Sequence, residues 1–280
     1  VPLFAPIEPW IAPADLAICH LEASLSPDNR RIRTQPRFSA PRELAEAIAW
    51  AGYDVCSTAS NHALDWGLDG LTATLDVLDA AGVAHAGTAR SAEEDGPLLF
   101  EVNGVTVAFA SYTIGTNGRY IPQKWAVDYL RIDEMMADAA WAREQGAEFV
   151  ILGLHWGWEY QEAPAGHQLQ MADALTASGN VDMIVGHHAH VVQPFEWVNG
   201  IPVAYGMSNH FSNIRSEQAA KKYGAEDGII VHAEVTEQPD GTPPTITSMV
   251  PADDATTVLP WANLTATFDE AITLTGSGTI

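Results

Sequence analysis

The sequence predicts a layered α/β domain with parallel strand pairs, followed by a short all-β tail. Three observations predict it. Short apolar runs alternate with amphipathic helical stretches from about residue 15 to residue 235. Four of those runs end in side chains able to bind a metal. Beyond residue 237 the helical pattern stops, and short Thr-rich segments take over.

Taken in order, Asp15 to Cys19 reads as a short buried strand that runs into His20-Leu21-Glu22. The polar, turn-rich loop SLSPDNRRIRTQPRFSAP follows. It carries Arg30, Arg31, Arg33 and Arg37, with Arg42 just past its end. Such a loop is most often a solvated surface; in a strongly acidic chain it is also where an anionic substrate would be held, and Arg31, Arg33 and Arg37 are the candidates. Pro41 opens a helix with Leu44 and Ile48 on its apolar face, ended by Ala51-Gly52. Tyr53 to Thr58 is the next strand and delivers Asn61 and His62. Leu71, Leu75 and Leu78 form one face of a helix from Leu68 to Ala81, and Gly82 stops it. Val83 to Gly87 is a short strand. Leu98–Val102 and Val105–Ser111, joined by Asn103-Gly104, make the clearest hairpin.

A loop with Gly115, Asn117, Gly118 and Pro122 precedes a helix over Ile132–Gln145. Glu148 to Leu154 is a strongly apolar strand that hands over His155. A helix over Gln168–Ser178 leads to the strand Val181–Val185, which ends in GHHAHVVQP and so presents His188 and His190. Ile201–Tyr205 and Gly228–Val235 are further strands. The Pro/Gly/Asp stretch EQPDGTPPT carries a linker at 237–243, separating a domain at 1–236 from a β segment at 244–280 with strands at 246–250, 264–268 and 272–274.

The formal charge is −23. Such a surface repels nucleic acid and anionic membrane, and neither is an expected partner. An anionic substrate then needs another source of attraction, which bound divalent cations supply. No stretch is long and apolar enough to span a membrane. The opening VPLFAPIEPW has no basic start or cleavage site and reads as an internal start, with further domains of a longer surface protein expected. Cys19 and Cys56 each lie in a predicted strand just before a candidate ligand loop. They are either bridged or buried thiols, with thiols the preferred reading.

If the strands are parallel, the four ends lie along one sheet edge, where open α/β sheets build ligand sites. His20 and Glu22, Asn61 and His62, His155, and His188 with His190 then converge. Nitrogen and oxygen donors without thiolate suit Mn, Fe or Zn. Two such ions sharing Glu22 suit hydrolysis of a phosphate ester. Each residue also has a plainer reading: His155 as a core histidine, Asn61-His62 as a turn, Glu22 as a loop acid. Trp156 and Trp158 are either packing aromatics or a wall beside the site.

The segments ADLAICHLEASLS, RFSAPRELAEAIAWAGYDVCSTASNHALDWGLDGL, LHWGWEY, GHHAHVVQP and AYGMSNHF resemble the CapA family of bacterial capsule (poly-γ-glutamate) synthesis proteins, in the calcineurin-like metallophosphatase superfamily. The resemblance runs in order over residues 10–235. It implies a four-layer α-β-β-α sandwich with two divalent metal ions at one sheet edge. By position it implies Glu22, Asn61, His155, His188 and His190 as metal ligands. His62 would be the catalytic histidine and Asp65 its orienting partner. His20, Glu159 and Asn209 would support the ligands or add to them. His187 falls where the family pattern is variable and receives no role. The chain departs from the pattern in three places. A leading strand with a Gly-Asp motif is absent, His20 stands in place of asparagine, and Ser208-Asn209-His210 replaces Gly-Asn-Phe. The tail PPTITSMVPADDATTVLPWANLTATFDEAI resembles the start of a bacterial Ig-like domain. The implied function is metal-dependent hydrolysis of phosphoester or related bonds at the cell surface or outside the cell; the alternative is a non-catalytic module that binds, exports or anchors poly-γ-glutamate.

Overall fold

The computed structural model describes residues 3–212, 228–235, 264–266 and 272–279. After a short helix α1 (Glu8–Ile11), the strands are β1 (Leu16–His20), β2 (Ser24–Ser26), β3 (Ser39–Pro41), β4 (Val55–Ser57), β5 (Ala84–Ala86), β6 (Leu98–Val102) and β7 (Val105–Thr113). They continue with β8 (Phe149–His155), β9 (Met183–His187), β10 (Phe195–Val198), β11 (Ile201–Ala204), β12 (Ile230–Val235), β13 (Leu264–Ala266) and β14 (Ile272–Thr279). The longer helices are α2 (Glu43–Trp50), α3 (Gly67–Ala81), α4 (Ile132–Glu144) and α5 (Gly166–Thr176). None of the described helices is long and apolar enough to cross a membrane.

Two six-stranded sheets form, in the orders β13-β12-β14-β1-β4-β5 and β10-β11-β9-β8-β7-β6. Strands β1, β4 and β5 run parallel, as do β7, β8, β9 and β11. Period-two alternation then sorts every strand into two faces. On β1, Leu16 and Ile18 meet Phe149, Ile151, Met183 and Val185 from the second sheet, so the sheets pack face to face. Ala17 and Cys19 point the other way, onto Ile48 of α2 and Leu71, Leu75 and Leu78 of α3. Val150, Leu152 and Ile184 likewise face Met135 and Ala139 of α4 and Leu175 of α5. The result is the four-layer α-β-β-α sandwich. Strands β8 and β9 are apolar at almost every position because both of their faces are covered.

Three local expectations change. The helix expected from Pro41 begins at Glu43, because Ser39–Pro41 is spent on a parallel pairing with Ser24–Ser26. The Arg42 amide there donates to the Asn29 side chain at 3.0 Å. Cys19 and Cys56 form a disulfide rather than two thiols. Parallel neighbours β1 and β4 put them directly opposite, with Cα atoms 4.5 Å apart. Finally, β14 is parallel to β1 and antiparallel to β12, inserted between them in the first sheet. The expected strand at 246–250 and the linker lie outside the described residues.

Candidate metal centre

The site grows directly out of the inward rows of the two sheets. On β1 the row reads Leu16, Ile18, His20; on β8 it reads Phe149, Ile151, Gly153, His155; on β9 it reads Met183, Val185, His187. Each row is apolar in the core and ends in histidine at one common edge. All three histidine side chains are buried. The rows on β4 and β7 end in Ser57 and in Ser111 followed by Thr113, and the two serine hydroxyls hydrogen-bond to each other across the sheets. His20 Nδ1 lies 2.9 Å from Ser57 Oγ. His20 Nε2 lies 2.9 Å from His155 Nδ1, and His155 Nε2 lies 3.1 Å from Asn61 Oδ1. His187 stacks on His20 with ring centroids 4.2 Å apart.

The remaining donors arrive on loops. Glu22, two residues past β1, places Oε1 3.4 Å from His190 Nε2 and 3.8 Å from His155 Nε2. His188 and His190 hold φ of 85° and 55°, a left-handed region that costs a β-carbon-bearing residue on the order of 1 kcal/mol each. That backbone turns both rings back toward the strand ends. Gly186, next to last in β9, lets the strand pack this closely, since a Cβ there would lie 2.0 Å from the Tyr205 carbonyl oxygen and 2.5 Å from Trp156 Nε1. Trp156 is fully buried and donates its indole N–H to that same carbonyl at 2.8 Å. It is therefore packing behind the site. Trp158 is exposed and stands edge-on to the His167 ring.

Two triads of donor atoms result, each with all of its atoms within 4.8 Å of one another: His20, Glu22 and His155, and Glu22, His188 and His190. Glu22 belongs to both. Its Oε2 is buried and has no hydrogen-bond partner, and the same holds for His188 Nδ1. A buried carboxylate oxygen left bare is costly unless a cation meets it, so the donor set fits divalent metal ions. His20, Glu22 and His155, with Asn61 beside them, would hold one ion; Glu22, His188 and His190 would hold the other.

Electrostatics divides the same residues. Burial holds His20 and His155 well below the ordinary histidine range and pushes His187 down to about 3. His188 is also lowered, chiefly by burial. For His190, burial opposes the charge, but the Glu22 carboxylate outweighs it and raises the group to about 9. Glu22 in turn lies below its usual value, because His190 and its neighbours overcome the effect of burial.

His62 donates through Nδ1 to Asp65 Oδ2 at 2.7 Å, and the same oxygen accepts from the Phe38 amide at 2.6 Å. The Phe38 ring stands edge-on to His62, centroids 4.4 Å apart. Asn209 accepts from His190 Nδ1 at 2.9 Å and so turns Nε2 toward Glu22. Glu159 is exposed at the rim, where its charge favours protonation of His188 and His190 without a direct contact. Arg31 and Arg37 both lie 5.8 Å from the centre of the Trp66 ring, beside the Phe38 segment. Arg33 is not brought in; its side chain turns back onto the Ile32 carbonyl. Sequence reasoning missed His187, Ser57 and Ser111. The signal for His187 was its place as the next inward residue after Met183 and Val185.

Fold and site together define a four-layer α-β-β-α sandwich with a paired donor set at one sheet edge. A family model described as bacterial capsule synthesis protein PGA_cap matches residues 1–214, and the chain belongs to that family. A bacterial Ig-like domain model matches residues 240–279. Among curated proteins, the PGA biosynthesis protein CapA of Bacillus subtilis is 28% identical over 74% of this chain and 56% of its own length. The capsule biosynthesis protein CapA of Bacillus anthracis is 29% identical over 61% of this chain and 43% of its own length. The chain thus spans about half the length of these relatives. A solved structure of a putative 5'-nucleotidase from Staphylococcus aureus, in complex with alpha-ketoglutarate, has a TM-score of 0.52 at 14% identity, covering 82% of this chain and 41% of that one. That likeness concerns the fold alone.

Proposed function

We propose that this protein is a dinuclear metal-dependent hydrolase of phosphoester or related bonds, acting at the bacterial cell envelope beside an anionic capsule polymer. The observation that carries the reading is Glu22, a buried carboxylate shared by two donor triads with one oxygen unpartnered. Two divalent ions bound there would supply Lewis acidity and an activated water. The chain's own residues do the rest. Glu22 offsets the charge of two close cations. Asn209 fixes the tautomer of His190. Asp65 fixes that of His62, whose Nε2 is left to hold a proton for the departing oxygen. Names of the curated relatives supply the capsule context, and the disulfide between β1 and β4 favours an oxidising, extracytoplasmic setting. Elemental analysis for Mn, Fe and Zn, paired with turnover of bis(4-nitrophenyl) phosphate by wild type and by His188→Ala, tests it. About two ions per chain and activity lost in the variant are expected; a wild type that takes up no metal when offered it overturns the reading.

A second reading is a module that binds the polyanion without cleaving it. The placement of Arg31 and Arg37 over the Trp66 ring favours it, since both cations stand exposed at the rim. Titration of poly-γ-glutamate against Arg31→Ala/Arg37→Ala decides, and unchanged affinity removes it.

A further inference from the structure

The arginine loop is not the site's best-placed cation. Strand β7 is parallel to β8, and its last residue, Thr113, lies opposite His155. The next residue, Ile114, donates its amide to the His155 carbonyl at 2.9 Å. From that anchor the chain makes a tight turn. Asn117 and Gly118 take φ of 51° and 71°, the Arg119 amide donates to the Thr116 carbonyl at 2.9 Å, and the Thr116 hydroxyl donates to the Arg119 carbonyl at 2.6 Å. The turn delivers Arg119 Nε to 3.7 Å from Asp65 Oδ1.

Asp65 is already engaged. Its Oδ2 serves His62 and the Phe38 amide, while Oδ1 and Arg119 Nε are both buried without a hydrogen bond. The other ion-paired arginines of the described residues are closer to their carboxylates: Arg30 to Asp28, Arg42 to Glu43, Arg90 to Asp76, Asp79 and Glu94, Arg131 to Glu134, Arg143 to Asp182. Arg119 is held loosely by one carboxylate oxygen, and no described residue accepts a hydrogen bond from its terminal nitrogens. About a third of its side chain remains exposed. A guanidinium positioned on one edge and uncommitted on the other is suited to a bidentate contact with an incoming oxyanion. It stands beside His62, the group assigned to the leaving oxygen.

We propose that Arg119 receives the non-bridging oxygens of a phosphoryl group, with Asp65 holding it in place, and so sets the charge and orientation of the substrate at this site. The proposal rests on the hydrolase reading for its setting but concerns binding. The test uses the full chain loaded with manganese. Inorganic phosphate is titrated calorimetrically into wild type, Arg119→Lys and Arg119→Ala, with glutarate as a carboxylate control. Turnover of bis(4-nitrophenyl) phosphate is followed in parallel. Circular dichroism and thermal melting confirm that the variants fold, and Arg119→Lys serves where Arg119→Ala does not. Phosphate affinity should fall roughly tenfold in Arg119→Ala and less in Arg119→Lys, a point charge without the fork. KM should rise by a similar factor while kcat changes little. Unchanged phosphate affinity overturns the proposal, as does a loss confined to kcat, which would make Arg119 a positioning residue acting through Asp65. Glutarate binding that depends on Arg119 when phosphate binding does not overturns the phosphoryl assignment. Arg119-dependent phosphate binding by a wild type that turns nothing over would sink the hydrolase reading and leave this proposal standing.

Discussion

The two halves of the metal centre are built on opposite principles. His20 and His155 end the inward rows of β1 and β8, are fully buried, and are fixed by Ser57, Asn61 and each other. His188 and His190 sit on a loop in left-handed backbone, closer to solvent, and His190 takes its aim from Asn209 and Glu22. One half is a continuation of the hydrophobic core in which the last residue of each row is a donor residue. The other is a turn that holds two donor histidines in left-handed backbone. Glu22 joins them.

Breaking the join should have the largest effect. Glu22→Gln keeps the shape and removes the shared charge, so both ions should be lost together and phosphodiester turnover should fall on the order of a thousandfold. Elemental analysis that still finds one ion per chain would show that the triads are independent. Next comes the close packing inside β9. Gly186→Ala forces a methyl against the Tyr205 carbonyl and the Trp156 indole. We expect a loss of about 3 kcal/mol in urea unfolding, with weakened metal binding. A variant as stable as wild type would mean that the Trp156 packing yields without cost.

A pair of substitutions then separates the halves in chelator-treated protein. His155→Ala leaves His20 Nε2 and Asn61 Oδ1 buried without their partner and should cost about 2–4 kcal/mol. His188→Gly relieves a left-handed φ and removes no hydrogen bond, so metal-free stability should stay within about 1 kcal/mol of wild type. Equal losses in both would erase the distinction between a core half and a strained half.

The smallest effect is a control from a second group of acids. Glu22, among histidines, is lowered, whereas Asp128, beside Asp95 and with Asp138 and Glu134 nearby, is raised to about 8 by burial and then by those carboxylates. A raised carboxyl pKa contributes stability below about pH 4 that is lost as pH rises through 8. Asp128→Asn should therefore stabilise the protein at pH 9 by about 1 kcal/mol after allowance for solvent screening, seen as a higher melting temperature, and change little at pH 4. Parallel pH profiles for the two proteins would refute it.

Much of this was legible in the chain itself. Alternating elements gave the α/β layers, and the strand ends at His20, Asn61, His155 and His188 marked the edge. Position in the resemblance singled out Asn209, whose side chain accepts a hydrogen bond from His190. What escaped was whatever depends on three-dimensional register. Cys19 and Cys56 read as separate thiols until β1 and β4 were seen side by side. His187 looked like one of three adjacent histidines until the inward row from Met183 placed it against His20. Arg33 sits between Arg31 and Arg37 in sequence, yet the loop turns it away from them. Arg119, the cation nearest the His62–Asp65 pair, lies in a loop with no pattern of its own, because nothing in the local sequence reports that β7 ends opposite His155.

The disulfide ties β1 to β4 at the residue before His20, on the side facing the helices, while His20 and Ser57 meet on the other side of the same strands. Adding two electrons would cut that tether and leave the first ligand strand held by backbone hydrogen bonds and packing alone. On the proposed reading, cation affinity at this centre would depend on the thiol chemistry of its surroundings, through a bond that touches no donor atom.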